Sequence, residues 1–514
     1  MNHNDSRRKF IKLAGVGVGA SMLGASNLMA KPIDVKDVKF DEEYDVVVIG
    51  TGFAGLAAAA KAAEKGLSIL VIEKMGRVGG NSTINGGGMA VPNNPIQKER
   101  NIKDSKEIFI KDCLKAGLGI NHVELLETIV DRAADSVSFA EKCGAKFQHE
   151  LSWFGGHSVP RTIVTENNSG SGIIIPMSKY VEENEKCKLY KRTKFDEFVL
   201  DEAGRVVGIK ARVEYRFDSK LFNDDKENKS GEVKYFGAKK GVVLASGGFG
   251  MDKFYRKLQD PRIPDDMDST NHPGATAGAM AKAFEIGACP VQVDWIQFGP
   301  WASPDERGFG VAPILTQQGL FKYGMAVDVK TGKRFMNELA DRKTRADAEF
   351  VILRKDPKAN PVAIGTQNTF GPEIKNVIQK GLDSGVMKKY NTLDEVAIAY
   401  KIPAAALKES VKKYNDGVKA GKDEFGKPVE QFKGECINES GPFYCIRLTP
   451  KPHHTMGGVK INTKAQVISM DTQEPIPGLY AAGEVTGGTH GASRLGSVAI
   501  TDCLVFGMIA GENI

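Results

Sequence analysis

The chain has 514 residues, 41% hydrophobic and 26% charged, which is enough for two or more domains and too apolar for a disordered protein. Its formal charge is +6, and half of it lies in the first thirty residues, where Arg7, Arg8, Lys9 and Lys12 face only Asp5. So mild a balance argues against nucleic acid or an anionic membrane surface as a partner.

Ser6-Arg7-Arg8-Lys9-Phe10-Ile11-Lys12 is a twin-arginine pattern, followed by a stretch rich in Gly, Ala and Ser that ends at Ala30. Residues 1–30 therefore read as a cleaved twin-arginine signal peptide, and the mature protein is expected in the periplasm without an integral membrane span. The alternative, a short anchor, is disfavoured because roughly 18 weakly apolar residues sit at the lower limit for a span. Seven cysteines, at 113, 143, 187, 289, 436, 445 and 503, match no zinc spacing, haem-attachment motif or disulfide framework. No metal site is expected.

Tyr44 to Ile49 is a β-branched apolar run ending in Gly50-Thr51-Gly52-Phe53-Ala54-Gly55, after which Leu56 to Lys65 is alanine-rich and Leu67 to Ile72 forms a second strand closing on Glu73. This is the strand, glycine turn, helix, strand and acid of a dinucleotide fingerprint. The first glycine makes the turn, the second admits a pyrophosphate to the helix N-terminus, and the third lets helix and strand pack. Glu73 is placed to accept from a ribose. The motif does not divide NAD from FAD. Gly79-Gly80-Asn81-Ser82, Gly86-Gly87-Gly88, the run from Gly241 to Gly248 and Gly478 to Glu484 favour FAD, because an extended flavin nucleotide needs close backbone approach along its length. They predict an α/β fold: a split, Rossmann-like nucleotide domain closed by the last segment of the chain. The polar stretch 217–234 reads as a solvated hairpin tip, and Leu393 to Lys419 has helical spacing.

Together with the glycine motifs, Thr270-Asn-His-Pro-Gly-Ala-Thr276, Gly332-Lys-Arg-Phe-Met-Asn-Glu338, His453-His-Thr-Met-Gly-Gly458 and Gly483-Glu-Val-Thr-Gly-Gly-Thr-His-Gly-Ala-Ser-Arg494 resemble the flavin subunit of soluble flavocytochrome c fumarate reductases. The resemblance implies an FAD-binding domain over 40–294 and 455–514, with an inserted α+β clamp domain over 295–454. It implies a reductase of carbon–carbon double bonds beside a carboxylate. Family members often carry N-terminal haems that this chain lacks, so electrons are expected from a c-type cytochrome on a separate chain. The cofactor residues implied are Gly50, Gly52, Ala54, Gly55, Glu73, Lys74, Gly79, Gly80, Asn81, Ser82, Gly86, Gly87, Gly248, Glu484, Ala499 and Ile500. Membrane-bound relatives attach FAD through a histidine in the segment that is Asn81-Ser82-Thr83 here, so a non-covalent flavin is implied. The family's Thr-Gly-Asp-Gly appears as Thr276-Ala277-Gly278-Ala279, which puts one flavin contact in doubt.

By the same resemblance Arg342 is the proton donor, His454 and Arg494 hold a substrate carboxylate, and Gln317 and Ser497 line the substrate site, with His453 a structural neighbour. The family recharges its arginine through a glutamate and a second arginine. Those positions fall on Gln317 or Gln318 and on Leu320 or Phe321, leaving water, Tyr323, Asp341 or Glu306 as candidate proton sources. The family's Gln-x-His-Pro, whose histidine helps hold the second carboxylate of fumarate, is Gln297-Phe298-Gly299-Pro300, followed by Trp301. An unpaired buried carboxylate costs several kcal/mol. The expected substrate is therefore an unsaturated monocarboxylate such as methacrylate, acrylate or urocanate, with fumarate the alternative if Arg307, Lys322 or Arg345 replaces the missing partner. A flavoprotein that only carries electrons is the remote alternative, since it would need no carboxylate clamp.

Overall fold

The run ending at Ile49 forms the strand Glu42–Ile49, and the alanine-rich stretch after it forms the helix Phe53–Glu64. A computed structural model describes residues 32–370, 374–432 and 436–514, so the twin-arginine segment lies outside the described residues. Glu42–Ile49 sits inside a nine-stranded sheet, with Ile69–Ile72 and then Cys187–Tyr190 added in parallel on one side and Glu232–Leu244 on the other.

The strand Glu232–Leu244 serves two partners. Its first half pairs antiparallel with Val206–Val213, whereas Val242 to Leu244 pair in parallel with Leu479 to Ala481. The C-terminal segment thus completes the sheet begun at Glu42. Its last helix, Val498–Asn513, lies directly on Phe53–Glu64: a Cβ on Gly507 or Gly511 would stand 2.5 and 2.3 Å from the carbonyl oxygens of Ala54 and Ala58. Only glycine permits that approach.

A second sheet orders Met325–Val327, Val362–Thr366, Phe443–Arg447 and Met387–Tyr390, all antiparallel. Its strands alternate. Val362, Ile364, Phe443 and Cys445 face one apolar cluster with Leu407 and Val411, while Ala363 and Ile446 face another with Trp301, Leu320 and Phe321. A two-stranded ladder, Ile296–Gly299 with Lys451–Thr455, links this unit to the nucleotide sheet and pairs Gln297 with His454. The helical stretch after Leu393 is two helices, Leu393–Tyr400 and Ala404–Ala420, broken where Lys401 turns left-handed (φ 56°) before Pro403. Among the described residues no helix is long and apolar enough to cross a membrane.

Candidate active site

Gly50 has φ +106°, and a Cβ there would stand 2.4 Å from the Ala245 carbonyl oxygen; on Gly55 it would stand 2.0 Å from the Gly50 carbonyl oxygen. The first and third glycines therefore bring turn, neighbouring strand and helix into direct contact. Thr51, between them, donates its hydroxyl to Glu73 and accepts from the Gly79 N–H at 2.9 Å. Glu73 also accepts from the Met75 N–H (2.8 Å), and burial pushes its carboxyl above the usual range. Ser82 accepts from the Phe53 N–H at 3.1 Å, and Asn81 is bonded to Asn271 and the His272 N–H.

Gly50, Gly52, Ala54, Glu73, Lys74, Gly79, Gly80, Asn81, Ser82 and Glu484 all line one cleft. The lining runs from the glycine turn and Glu73 to Glu484, drawing on distant parts of the chain as an extended nucleotide requires. The cleft's polar wall fits one: Ser246 Oγ, on its surface, has no hydrogen-bond partner among the described residues. Gly55, Gly86, Gly87, Gly248, Ala499 and Ile500 do not line this cleft. At Gly248 a Cβ would stand 2.2 Å from Thr455 Oγ1, and Ile500 is in the core.

The polar stretch 217–234 differs from a solvated tip. Asp224 is buried because it accepts from the Tyr215 hydroxyl, the Asp218 N–H (2.9 Å) and the Asn228 amide (2.7 Å), which folds the loop inward. Asp225 then joins the cleft wall, 3.3 Å from Lys74 Nζ and accepting from the Gly278 N–H at 3.1 Å. A Cβ on Gly278 would stand 2.4 Å from Asp225 Oδ2. The carboxylate thus occupies the space of a side chain at 278, where the resembling family has its aspartate.

At the far end of the cleft's Glu484, two histidines point opposite ways, as neighbours in a strand must. His454 Nδ1 is 3.4 Å from Glu484 Oε2, and its ring lies 5.5 Å from that of His490. His453 Nδ1 instead is hydrogen-bonded to Thr270 Oγ1 (2.7 Å), and the ring packs edge-on against Trp301 with centroids 4.8 Å apart. The Arg342 guanidinium lies 5.8 Å from the Trp301 ring and donates to Gln297 Oε1 at 3.0 Å; Gln297 in turn donates to Ser493 Oγ and the Arg494 carbonyl, both at 2.9 Å. One glutamine therefore ties the proposed proton donor to the loop carrying Arg494. A Cβ on Gly299 would stand 2.6 Å from the Trp301 indole, so the glycine makes room for that ring.

Burial, with Arg494 and Arg345 nearby, pushes the Arg342 guanidinium well below its usual range. Burial also lowers Arg494 to about 10 despite Glu484, and lowers His454 to about 4. His453 is pushed down by burial and by the two arginines, so both rings are neutral near pH 7. Arg494 Nε has no hydrogen-bond partner among the described residues. Gln317 lies in the wide helical turn Thr316–Leu320, and Leu320 and Phe321 are buried in the apolar cluster. Ser497 holds a left-handed backbone (φ 61°) ahead of the last helix, with its hydroxyl 2.6 Å from Thr162 Oγ1. Arg307 and Lys322 are exposed; of the three alternative cations only Arg345 is interior.

The sheet, the glycine-walled cleft and the cationic cluster at its end define an FAD-dependent oxidoreductase. The chain belongs to the family described as FAD binding domain, whose model matches residues 45–500, and FAD is its cofactor. It is 42% identical over 512 residues to the acrylate reductase flavoprotein subunit of Shewanella woodyi, covering 98% of this chain and 97% of that protein. Urocanate reductase of Eggerthella lenta is 35% identical, over 92% of this chain and 74% of the relative. Among solved structures, the open conformation of a flavocytochrome c3 fumarate reductase matches with a TM-score of 0.74 at 32% identity, over 92% of this chain and 78% of that one.

Proposed function

We propose that the protein reduces the C=C bond of a 2-enoate bearing a single carboxylate, of the acrylate or methacrylate type. The observation that carries this reading is Trp301 packed on Gly299. An indole fills the side where a second carboxylate would need a cation, and a charge left there unpaired costs several kcal/mol. Similarity to acrylate and urocanate reductases supports the same class.

Arg494 offers a buried guanidinium to the carboxylate, and His454 stands with it, its Nδ1 held by Glu484 and its Nε2 without a hydrogen-bond partner among the described residues. FAD, when bound, supplies the hydride. Arg342 delivers the proton to the carbon next to the carboxylate; low solvation and neighbouring cations make it a stronger acid than a free guanidinium. Fixed cations around the carboxylate stabilise charge as it develops there. The flavin is held without a covalent bond, the protein works in the periplasm, and a c-type cytochrome on another chain supplies electrons. Similarity to a flavoprotein subunit supports the separate partner.

The test is anaerobic oxidation of a reduced dye by purified protein over a panel of enoates. Acrylate or methacrylate turnover is the expected result, and turnover of none of the panel would refute the reading.

A further inference from the structure

Arg342 loses a proton in every turnover and must regain one. The two side chains expected from the resemblance to return it are absent, since Gln317 and Gln318 do not titrate and Leu320 and Phe321 are apolar. Of the other candidate side chains, two are held by hydrogen bonds and the third is packed in an aromatic pair. Glu306 accepts from the Val311 and Ala312 amides (both 2.8 Å), Asp341 caps its helix through the Thr344 N–H (3.0 Å), and Tyr323 packs on Phe432.

The helix that Arg342 begins, Arg342–Leu353, carries two more ionisable groups on the same face, Arg345 at i+3 and Glu349 at i+7. Both are buried, Arg345 4% and Glu349 0% exposed. Arg345 donates to the Glu338 carbonyl at 3.2 Å and lies 5.5 Å from the ring of Phe321, one of the positions where the second arginine was sought. Arg345 Nε and both oxygens of Glu349 have no hydrogen-bond partner among the described residues. A fully buried carboxyl with neither oxygen satisfied is costly, and a purely structural residue at that position would be apolar.

We propose that Glu349 and Arg345 form the proton relay that recharges Arg342. The inference rests on enoate reduction as the reaction. When Arg342 protonates the substrate, one of its N–H bonds breaks and a C–H bond forms, leaving Arg342 neutral. No hydrogen bond joins these groups directly, so a bridging water carries each step: Arg345 passes a proton to Arg342 and takes one from the Glu349 carboxyl, which becomes a carboxylate until solvent returns the proton. Each turnover thus takes up one proton from water and leaves all three groups as they began. Burial holds Glu349 well above the usual carboxyl range, so it starts protonated, and it lowers Arg345 to about 10, closer to the donor it must match. Arg494, Glu338 and Asp341 are the other charged groups whose fields reach the two arginines, and none of them lies between Glu349 and Arg345 along the helix face.

The test compares one turnover with many. FAD-loaded Glu349→Gln and Arg345→Gln are reduced with dithionite, mixed with acrylate, and followed by flavin absorbance, then assayed at steady state with a reduced dye. The relay predicts a first turnover within about threefold of wild type, because Arg342 starts charged, followed by a steady-state kcat about a hundredfold lower with KM little changed. Glu349→Asp, which keeps a titrating group, should recover part of the loss. Steady-state rates within threefold of wild type in both variants would overturn the relay, as would a first turnover slowed as much as the steady state. Flavin content and circular dichroism confirm folding, and Arg345→Gln carries the test if Glu349→Gln does not fold. A wild-type enzyme that reduces no enoate would instead refute the proposed reaction, a separate outcome.

Discussion

Replacing Gly299 by alanine tests the wall that sets substrate choice. The added methyl would stand 2.6, 2.7 and 3.0 Å from three carbons of the Trp301 six-membered ring, too close for any carbon contact. Trp301 is 1% exposed and also packs on Phe309 and His453, so the ring has nowhere to retreat without moving its neighbours. Overpacking of this kind costs about 1–3 kcal/mol. Urea unfolding should show that loss, and kcat/KM for acrylate should fall by roughly tenfold because His453 and Arg342 shift with the indole. Adding Trp301→Ala to Gly299→Ala relieves the clash, and combining it with Gly299→His reopens the side toward a second carboxylate and should raise fumarate turnover relative to acrylate. Gly299→Ala protein with wild-type stability and kinetics would refute the packing argument.

Arg494→Ala should raise KM for every substrate more than a hundredfold, about 3 kcal/mol, whereas Arg342→Ala should stop turnover while substrate affinity, read by flavin difference spectra, stays near wild type. Asp225→Ala should weaken FAD binding to the apoprotein about tenfold in fluorescence titration, and Gly278→Asp alone should weaken it too by clashing with Asp225; the double variant should recover most of the affinity. His157 and His454 are both lowered to about 4, chiefly by burial, from an unfolded value near 6.5. Between those values the unfolded chain binds more protons, so stability is full above about pH 6.5 and falls toward pH 4, by on the order of 3 kcal/mol per histidine. Urea midpoints measured from pH 7 to pH 4 check this.

The nucleotide site was legible because its chemistry is local. Gly50 to Gly55 and Glu73 lie within one strand-turn-helix-strand unit, where spacing alone fixes their relation. What was missed depends on long-range placement. That His453 packs on Trp301 follows from the pairing of Gln297 with His454, a register that no local pattern reveals. Asp225 reaches the cleft only because Asp224, one residue before it, is drawn into a buried network with Tyr215, and the polar run around both hides it. Arg345 and Glu349 were within reach of sequence reasoning: Asp341 marks the helix start, and spacings of three and seven from Arg342 place them on its face. Their burial was the missing fact, because the same spacing serves a solvated helix equally well.

The most direct measurement is the ratio of kcat/KM for acrylate and for fumarate, obtained anaerobically with the same reduced dye and the same FAD-loaded protein. Trp301 in place of a second carboxylate partner predicts that acrylate wins, since fumarate must bury its second charge without a cation. A preference for fumarate of tenfold or more would contradict it and would make Arg345, the one interior cation among the three considered, a substrate-binding group.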